Sequence, residues 1–312
     1  PPTRRRGARG RRRRRAAAGR EDVVTPTPFQ RIGIYLKPGH EGAAEAVSQL
    51  LAFLAARGHA LALDEEAARQ TGRDDLRMPG GELPDRVDLA VVLGGDGTML
   101  AVVRQIGPRP VPVVGVNFGS LGFLTEISRE RMLPALGGIL DGRYRIEERM
   151  KLRVEVRREG RVQEHFQALN DAVINYGALA RIIEVEVSVD DRFLSLYRSD
   201  GLIVSTPTGS TAYALSAGGP ILVPTSRNLL LAPICPHTLT HRPLVLENTS
   251  TISIRLRSHG DVMLTVDGQT GVSLAEQDEV RVSQADHPAR LVFPEDPGFF
   301  AVLRQKLKWG ER

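Results

Sequence analysis

The sequence predicts two unlike halves, a doubly wound parallel α/β domain followed by an antiparallel β-rich domain. Three observations carry this reading. Up to about residue 145, short apolar runs alternate with amphipathic helical segments, the grammar of a parallel sheet covered on both faces. Beyond it, many short segments alternate apolar and polar residues with little helix between them, as half-buried antiparallel strands do. Two glycine-rich turns, at 94–98 and 119–123, each close an apolar run of the first half. They therefore fall at strand carboxyl ends, where open α/β sheets bind ligands.

The chain begins with an arm, residues 1–28, whose first 20 residues hold ten arginines and no acid. It has no apolar run to order it and no apolar core of a secretory signal, so it reads as disordered. Without those ten, 32 of the 42 basic residues face 37 acids, so the body carries a net charge of −5 rather than the +5 of the whole chain. A nucleic-acid-binding body needs a basic face of its own, and this balance gives none; such a role would rest on the arm alone. No apolar run reaches the roughly 18 residues of a membrane-spanning helix. The one cysteine, Cys235, excludes an intrachain disulfide framework or a cysteine zinc site and fits a reducing, cytoplasmic setting.

Residues 29–145 form the α/β domain. Arg31 to Lys37 is its first strand. Residues 41–57 follow as an amphipathic helix, with Ala44, Val47, Leu50, Leu51 and Leu54 on one face and Gly58 as its stop. Residues 59–63 make a second strand, and 71–88, with Gly80, Gly81 and Pro84, read as a mobile loop. The central feature is Leu89 to Leu100, five apolar residues, then Gly94-Gly95-Asp96-Gly97-Thr98, then an apolar run at helical spacing. Gly94, Gly95 and Gly97 let the backbone turn sharply and approach a ligand. Their N–H groups and the helix start suit a phosphate, so Asp96 is placed to act on a proton or a metal ion. The plain alternative is a tight turn with Thr98 as the helix cap. Residues 111–116 form the next strand, ending at the second glycine-rich turn, which includes Phe123.

Residues 146–295 form the β-rich domain, with alternating strands at 151–157, 183–189 and 251–257. Residues 296–312 carry Phe299, Val302, Leu303 and Leu307 at helical spacing, a C-terminal helix expected to dock on the first domain. The densest polar stretch is 200–216, with hydroxyls at 205, 206, 208, 210, 211, 213 and 216. That exceeds the need of one helix cap and suits a base, sugar or phosphate. Asn170 and Asp171 put an amide beside a carboxylate able to accept both hydroxyls of a ribose diol. Arg181 and Arg198 are candidate phosphate contacts; a solvated face is the plainer reading of each. His237 reads as a hydrogen-bonded loop histidine, and Asp267-Gly268-Gln269 first as a hairpin turn. No P-loop lysine motif and no paired-histidine zinc motif occurs.

Together these stretches resemble the bacterial NAD kinases. The resemblance runs from about Ile32 to Phe293 through Gly-Gly-Asp-Gly-Thr at 94–98, Gly-Ser-Leu-Gly-Phe at 119–123, Asn-Asp at 170–171, the 200–216 stretch and Cys-Pro-His-Thr-Leu at 235–239. The first motif is shared with diacylglycerol-kinase-like and phosphofructokinase-like enzymes; the 200–216 stretch is more particular. The resemblance implies ATP-dependent phosphorylation of the adenosine 2′-hydroxyl of NAD, with Asp96 as general base. It implies dinucleotide contacts from Asp96, Gly97, Phe123, Asn170, Asp171, Arg181, Arg198, Asp200, Thr211, Ala212, Tyr213, Ala214, Leu215, Ser216 and Gln269. Gly94, Gly95, Gly97 and Thr98 would form the phosphate loop. Asp171 stands where the family often has Glu, one methylene longer. The triphosphate charge is expected to be met by Mg²⁺, without an assigned protein ligand, and by backbone N–H groups. The family's dimers or tetramers imply a homo-oligomer. A lipid or sugar kinase with the same loop, a non-catalytic dinucleotide sensor and a nucleic-acid binder are the rival readings.

Overall fold

The computed structural model describes residues 29–39, 42–177, 182–295 and 298–310. The arm over 1–28 and Arg181 lie outside the described residues. In chain order the elements are β1 (Arg31–Leu36), α1 (Ala43–Ala56), β2 (Ala60–Leu63), α2 (Glu65–Thr71), α3 (Leu83–Arg86), β3 (Leu89–Leu93), α4 (Asp96–Ile106), β4 (Val113–Asn117), β5 (Ile127–Ser128), α5 (Met132–Leu140), β6 (Arg145–Arg149), β7 (Leu152–Arg158), β8 (Arg161–Ala168), β9 (Asp171–Tyr176), β10 (Ile183–Val189), β11 (Arg192–Ser199), β12 (Gly201–Ser205), α6 (Tyr213–Ser216), β13 (Asn228–Ile234), β14 (Leu244–Glu247), β15 (Ile252–Leu256), β16 (Val262–Val266), β17 (Thr270–Leu274), β18 (Glu279–Gln284), β19 (Ala289–Phe293) and α7 (Phe299–Leu307).

The first sheet runs β2-β1-β3-β4-β19-β6, with β5 also on β4. β1 pairs in parallel with β2 on one side and β3 on the other. The chain therefore reverses its direction of travel at β1, and the crevice between the carboxyl ends of β1 and β3 is the topological switch point. Period-two alternation sends side chains to opposite faces. Ile32, Ile34, Leu89, Val91 and Leu93 meet Val47, Leu50 and Leu54 of α1 and Leu136 of α5. Tyr35, Ala90 and Val92 meet Leu83 of α3 and Met99, Val102 and Val103 of α4. Both faces of β3 are buried, which is why its sequence is a continuous apolar run rather than an alternating one.

The second half forms two antiparallel sheets, β11-β10-β15-β18-β7-β8 and β14-β13-β12-β9-β16-β17. They share one core, in which Val185, Ile254 and Val280 of the first meet Ile174, Leu202 and Leu264 of the second, the arrangement of a β-sandwich. Strand β12 is buried throughout. Its outer side is covered through Ile203, which clusters with Ala214 of α6, Leu230 and Ala232.

Three expectations change. Strands β6 and β19, placed by sequence in the β-rich domain, extend the first sheet: β19 joins β4 in parallel and β6 joins β19 antiparallel. A sequence boundary follows chain order, whereas the sheet recruits a strand from 140 residues downstream of β6, which no local pattern records. The 71–88 loop holds a 3-10 turn at Asp74–Leu76 and the helix α3, with Leu83 and Pro84 buried. Helix α2 was not anticipated; Asp64 caps it by accepting from Ala67 N at 2.8 Å. Helix α7 lies against the second glycine-rich turn, with the Phe299 and Phe123 rings 6.3 Å apart. No helix of the described residues is long and apolar enough to cross a membrane.

Candidate active site

Asp96 opens α4 directly after β3, and Gly95 rather than Thr98 is the N-cap. Thr98 is already helical; its N–H bonds back to Gly95 O at 2.9 Å. The Asp96 carboxylate reaches sideways from the end of β3 to the turn after the neighbouring strand β4. Its Oδ2 accepts from Phe123 N at 2.8 Å, and its Oδ1 from Leu124 N and Thr125 Oγ1, each at 3.0 Å. The turn is itself braced by buried Asn117, whose Nδ2 donates to Ser120 O and Thr125 Oγ1, each at 2.7 Å. A Cβ on Gly122 would overlap both Asp96 Oδ1 and Thr125 Oγ1, so this glycine is required by close approach rather than by its dihedral angles. With two bonds on Oδ1 and one on Oδ2, Oδ2 keeps a lone pair free to accept a further proton. Asp96 lines a cleft of about 310 Å³ with Gly95, Ser120, Lys37 and Lys306. The two lysines were not foreseen: neither lies in a motif, and one comes from α7.

A second cleft, of about 260 Å³, lies in the β-rich domain between Asn170, Asp171, Ala212, Tyr213, Asp267 and Gly268. Asp267 sits in the β16–β17 turn, as expected, but its carboxylate is buried. It accepts from Leu169 N at 3.0 Å, Asn170 N at 2.7 Å and Asp171 N at 3.2 Å. Burial pushes its carboxyl up, against the pull of those three N–H groups. Asp171 is 5% exposed. Burial, and then the charge of Asp267, push its carboxyl up to about 7. The sequence reading missed Asp267 because an Asp-Gly pair after a strand signals a turn whether or not its carboxylate is buried.

Gln269 reaches across from the β-rich domain to α4: its Nε2 donates to Gly97 O at 2.6 Å. The bond ties the residue after Gly268 of the second cleft to the residue after Asp96 of the first.

The 200–216 stretch behaves differently from its hydroxyl count. Ser205 Oγ donates to Asn170 O at 3.2 Å and Thr206 Oγ1 to Leu169 O at 2.6 Å. Ser210 Oγ donates to Pro207 O at 2.6 Å, and Thr211 Oγ1 to Thr208 O at 3.1 Å. The first two protons fasten the turn to the link between β8 and β9, and the other two close the turn on itself. A Cβ on Gly209 would overlap Asn170 O and Ser205 Oγ. The helix expected near Ser210 is a 3-10 turn over Gly209–Thr211, followed by α6. Of the predicted contacts here, Ala212 and Tyr213 face the cleft. Ala214 is core, Leu215 is half-buried and Ser216 exposed. Asp200 is tied to β13 through its N–H, 3.0 Å from Ile234 O. Arg198 is not brought to either cleft; it lies on exposed β11 with its Nε 3.4 Å from Glu184 Oε2. His237 is an exposed loop residue whose N–H bonds to Arg198 O at 2.9 Å.

Comparison with known proteins accounts for this geometry. The model of the ATP-NAD kinase N-terminal domain matches residues 32–144, and that of the ATP-NAD kinase C-terminal domain residues 169–293. The chain is 49% identical to the NAD kinase of Trichlorobacter lovleyi over 286 residues, 91% of this chain and 100% of that one. It is 46% identical to the NAD kinase of Syntrophotalea carbinolica over 285 residues, with the same coverage of both. Yeast NADH kinase complexed with NADH superposes with a TM-score of 0.85 at 27% identity, covering 92% of this chain and 89% of that chain. An NAD kinase from Archaeoglobus fulgidus in complex with ATP superposes with a TM-score of 0.72 at 26% identity, covering 89% and 99%. With both domain models matched in order and nearly half the residues shared with curated relatives over their whole length, this chain belongs to the NAD kinase family.

Proposed function

We propose that the two clefts together phosphorylate NAD at the expense of ATP, with Asp96 as the general base. The dinucleotide lies in the cleft of Asn170, Asp171, Ala212 and Tyr213, its adenosine ribose directed past Gln269 toward Asp96. The donor's phosphates lie in the cleft of the 94–98 and 119–123 turns. The ribose 2′-oxygen attacks the γ-phosphorus; the new O–P bond forms as the bond to the β-phosphate oxygen breaks, and ADP leaves. The hydroxyl proton passes to Asp96 Oδ2, whose orientation the Phe123, Leu124 and Thr125 donors hold. A positioned base of this kind is worth roughly 10²–10⁴ in rate. The observation that supports the reading is the Gln269–Gly97 hydrogen bond, which links the turn beside the dinucleotide cleft to the residue next to Asp96.

Mg²⁺ fits the donor cleft as an ion carried by the phosphates. Among the described residues no group of three or more His, Cys, Asp or Glu side chains is set to hold a metal, and Mg²⁺ is commonly bound by one or two carboxylates, substrate phosphates and water. Asp96 is the carboxylate within reach of it; the ion would neutralise charge on the transferring group.

A homo-oligomeric state is supported by the edge strand β11, which leaves Phe193, Leu194 and Leu196 exposed, an apolar strip of the kind a second subunit covers. A cytoplasmic setting is supported by the single cysteine. The test of function offers the purified chain ATP with NAD, NADH, diacylglycerol or fructose phosphate. NADP formed from NAD is the expected result; turnover of the lipid or sugar alone would replace this reading.

A further inference from the structure

The donor cleft carries more positive charge than its glycine-rich motifs announce. Lys37 follows β1 and enters from the switch point; Lys306 enters from α7. Lys306 Nζ donates to Leu121 O at 2.8 Å and stands 4.9 Å from the centroid of the Phe123 ring. An ammonium has three N–H donors, so two remain after the bond to Leu121. Among the described residues the ion pairs include neither lysine, and the Asp96 oxygens that line the same cavity are directed at the N–H and hydroxyl groups of the 123–125 turn. The start of α4, an 11-residue helix, opens into the same cleft, adding its own positive end. Two ammonium groups without an ion pair and a helix N-terminus outweigh the one carboxylate, Asp96, around this small cavity, and a compact polyanion matches them.

We infer that Lys306, with Lys37, binds the polyphosphate chain of the donor, so that the C-terminal helix completes the donor site. This rests on the kinase reading above. It adds two ammonium groups to the Mg²⁺ and backbone N–H groups that the sequence leads one to expect around the triphosphate. Lys306 then has two tasks, one toward the donor and one toward the turn that holds Asp96, and the test must separate them.

Steady-state kinetics on the full chain would compare the parent with Lys306→Met, Lys306→Arg and Lys37→Met, varying ATP and NAD in turn. Removing a charge-assisted contact should raise the KM for ATP roughly tenfold or more in each Met variant and leave the KM for NAD within about twofold. Lys306→Arg should recover most of the loss, since the charge is retained. Inorganic tripolyphosphate should compete with ATP, and its binding, followed by titration calorimetry, should weaken in parallel in the Met variants. A Lys306→Met enzyme with a reduced kcat but unchanged affinity for ATP and tripolyphosphate would overturn the inference and leave only the structural task. Calorimetry needs no turnover. If the parent makes no NADP, the kinase reading falls by itself, while tripolyphosphate binding still decides the lysines: weakened binding in both Met variants supports them, and equal binding in parent and variants overturns them.

Discussion

Asp171 and Asp267 are two buried carboxylates in one cleft, and the Asp171 N–H donates to Asp267 Oδ1 at 3.2 Å. Three backbone donors serve Asp267, whereas Asp171 is pushed by burial, and then by Asp267, from 3.8 to about 7. Between these values the native state holds a proton that the unfolded state has released. The stability Asp171 contributes is therefore fully present below about pH 4 and is lost as the pH rises through about 7. Asp171→Asn should raise the Tm at about pH 8, by a free energy of up to about 4 kcal/mol, and change it little near pH 4. The ionised form is the one that accepts from both hydroxyls of a ribose diol. The KM for NAD should thus fall with rising pH through about 7 in the parent and be higher and flat in the variant. Thermal melts and NAD titrations at both ends of this range check it, and an equal Tm for both proteins at the upper end would contradict the account.

Asp96→Asn keeps an acceptor oxygen for the turn but has no carboxylate to receive a proton. It should bind NAD with nearly parental affinity and lose roughly 10²–10⁴ of kcat. NAD binding by calorimetry and NADP formation in a coupled assay separate the two effects; near-parental kcat would remove Asp96 from the role of base.

Gly122→Ala places a methyl group on Asp96 Oδ1 and Thr125 Oγ1. Relief requires the turn or the carboxylate to move. Overpacking of this kind costs about 1–3 kcal/mol, and a displacement of about 1 Å at a reacting group costs on the order of 10² in rate. The variant should therefore melt only modestly below the parent, keep its NAD affinity and lose most of its kcat. A fully active Gly122→Ala would mean that the Asp96–Phe123 contact plays no part in turnover.

Arg198→Ala tests a residue that the family resemblance and the structure place differently. The resemblance puts Arg198 among the dinucleotide contacts, but its side chain is 64% exposed beside Glu184. An exposed pair is worth about 0–1 kcal/mol. KM for NAD and the preference for NAD over NADH should both stay within about twofold of the parent. A clear loss of selectivity would bring Arg198 back to the site, through a partner subunit or a closed state.

How far the sequence reaches depends on whether the signal is local. The β3–α4 unit is legible because a buried parallel strand, a glycine turn and an amphipathic helix each have their own pattern, and together they place Asp96 at a strand's carboxyl end. Asn170 and Asp171 stand out as an amide beside a carboxylate, whereas Gln269 enters only through the family resemblance. What stayed hidden depends on contacts distant in sequence. The recruitment of β19 into the first sheet has no local signature, nor does the burial of Asp267. The hydroxyls of 205–211 are ambiguous for a different reason. A dense hydroxyl run can serve a ligand or the chain's own carbonyls, and only the partner atoms, such as Leu169 O and Asn170 O, distinguish the two.

Helix α4 is held by the β-rich half at both ends, through Gln269 Nε2 on Gly97 O at 2.6 Å and Lys151 Nζ on Gly107 O at 2.8 Å. Lys151 is buried, which pushes its ammonium pKa down, and its other partner is the neutral Gln167, 2.8 Å away. The two contacts divide between function and stability. Gln269 is exposed, so Gln269→Leu should cost no more than about 1 kcal/mol of stability. It also frees the Gly97 end of α4 from the dinucleotide cleft, so kcat/KM for NAD should fall roughly threefold to thirtyfold while the KM for ATP holds. Lys151→Met instead removes a buried donor that satisfies the Gly107 carbonyl, a loss of about 1–3 kcal/mol, and should lower the Tm with little effect on either KM measured well below it. The pair is diagnostic as a set: melts and kinetics in which Gln269→Leu destabilises and Lys151→Met impairs NAD would reverse the assignment of the two ends.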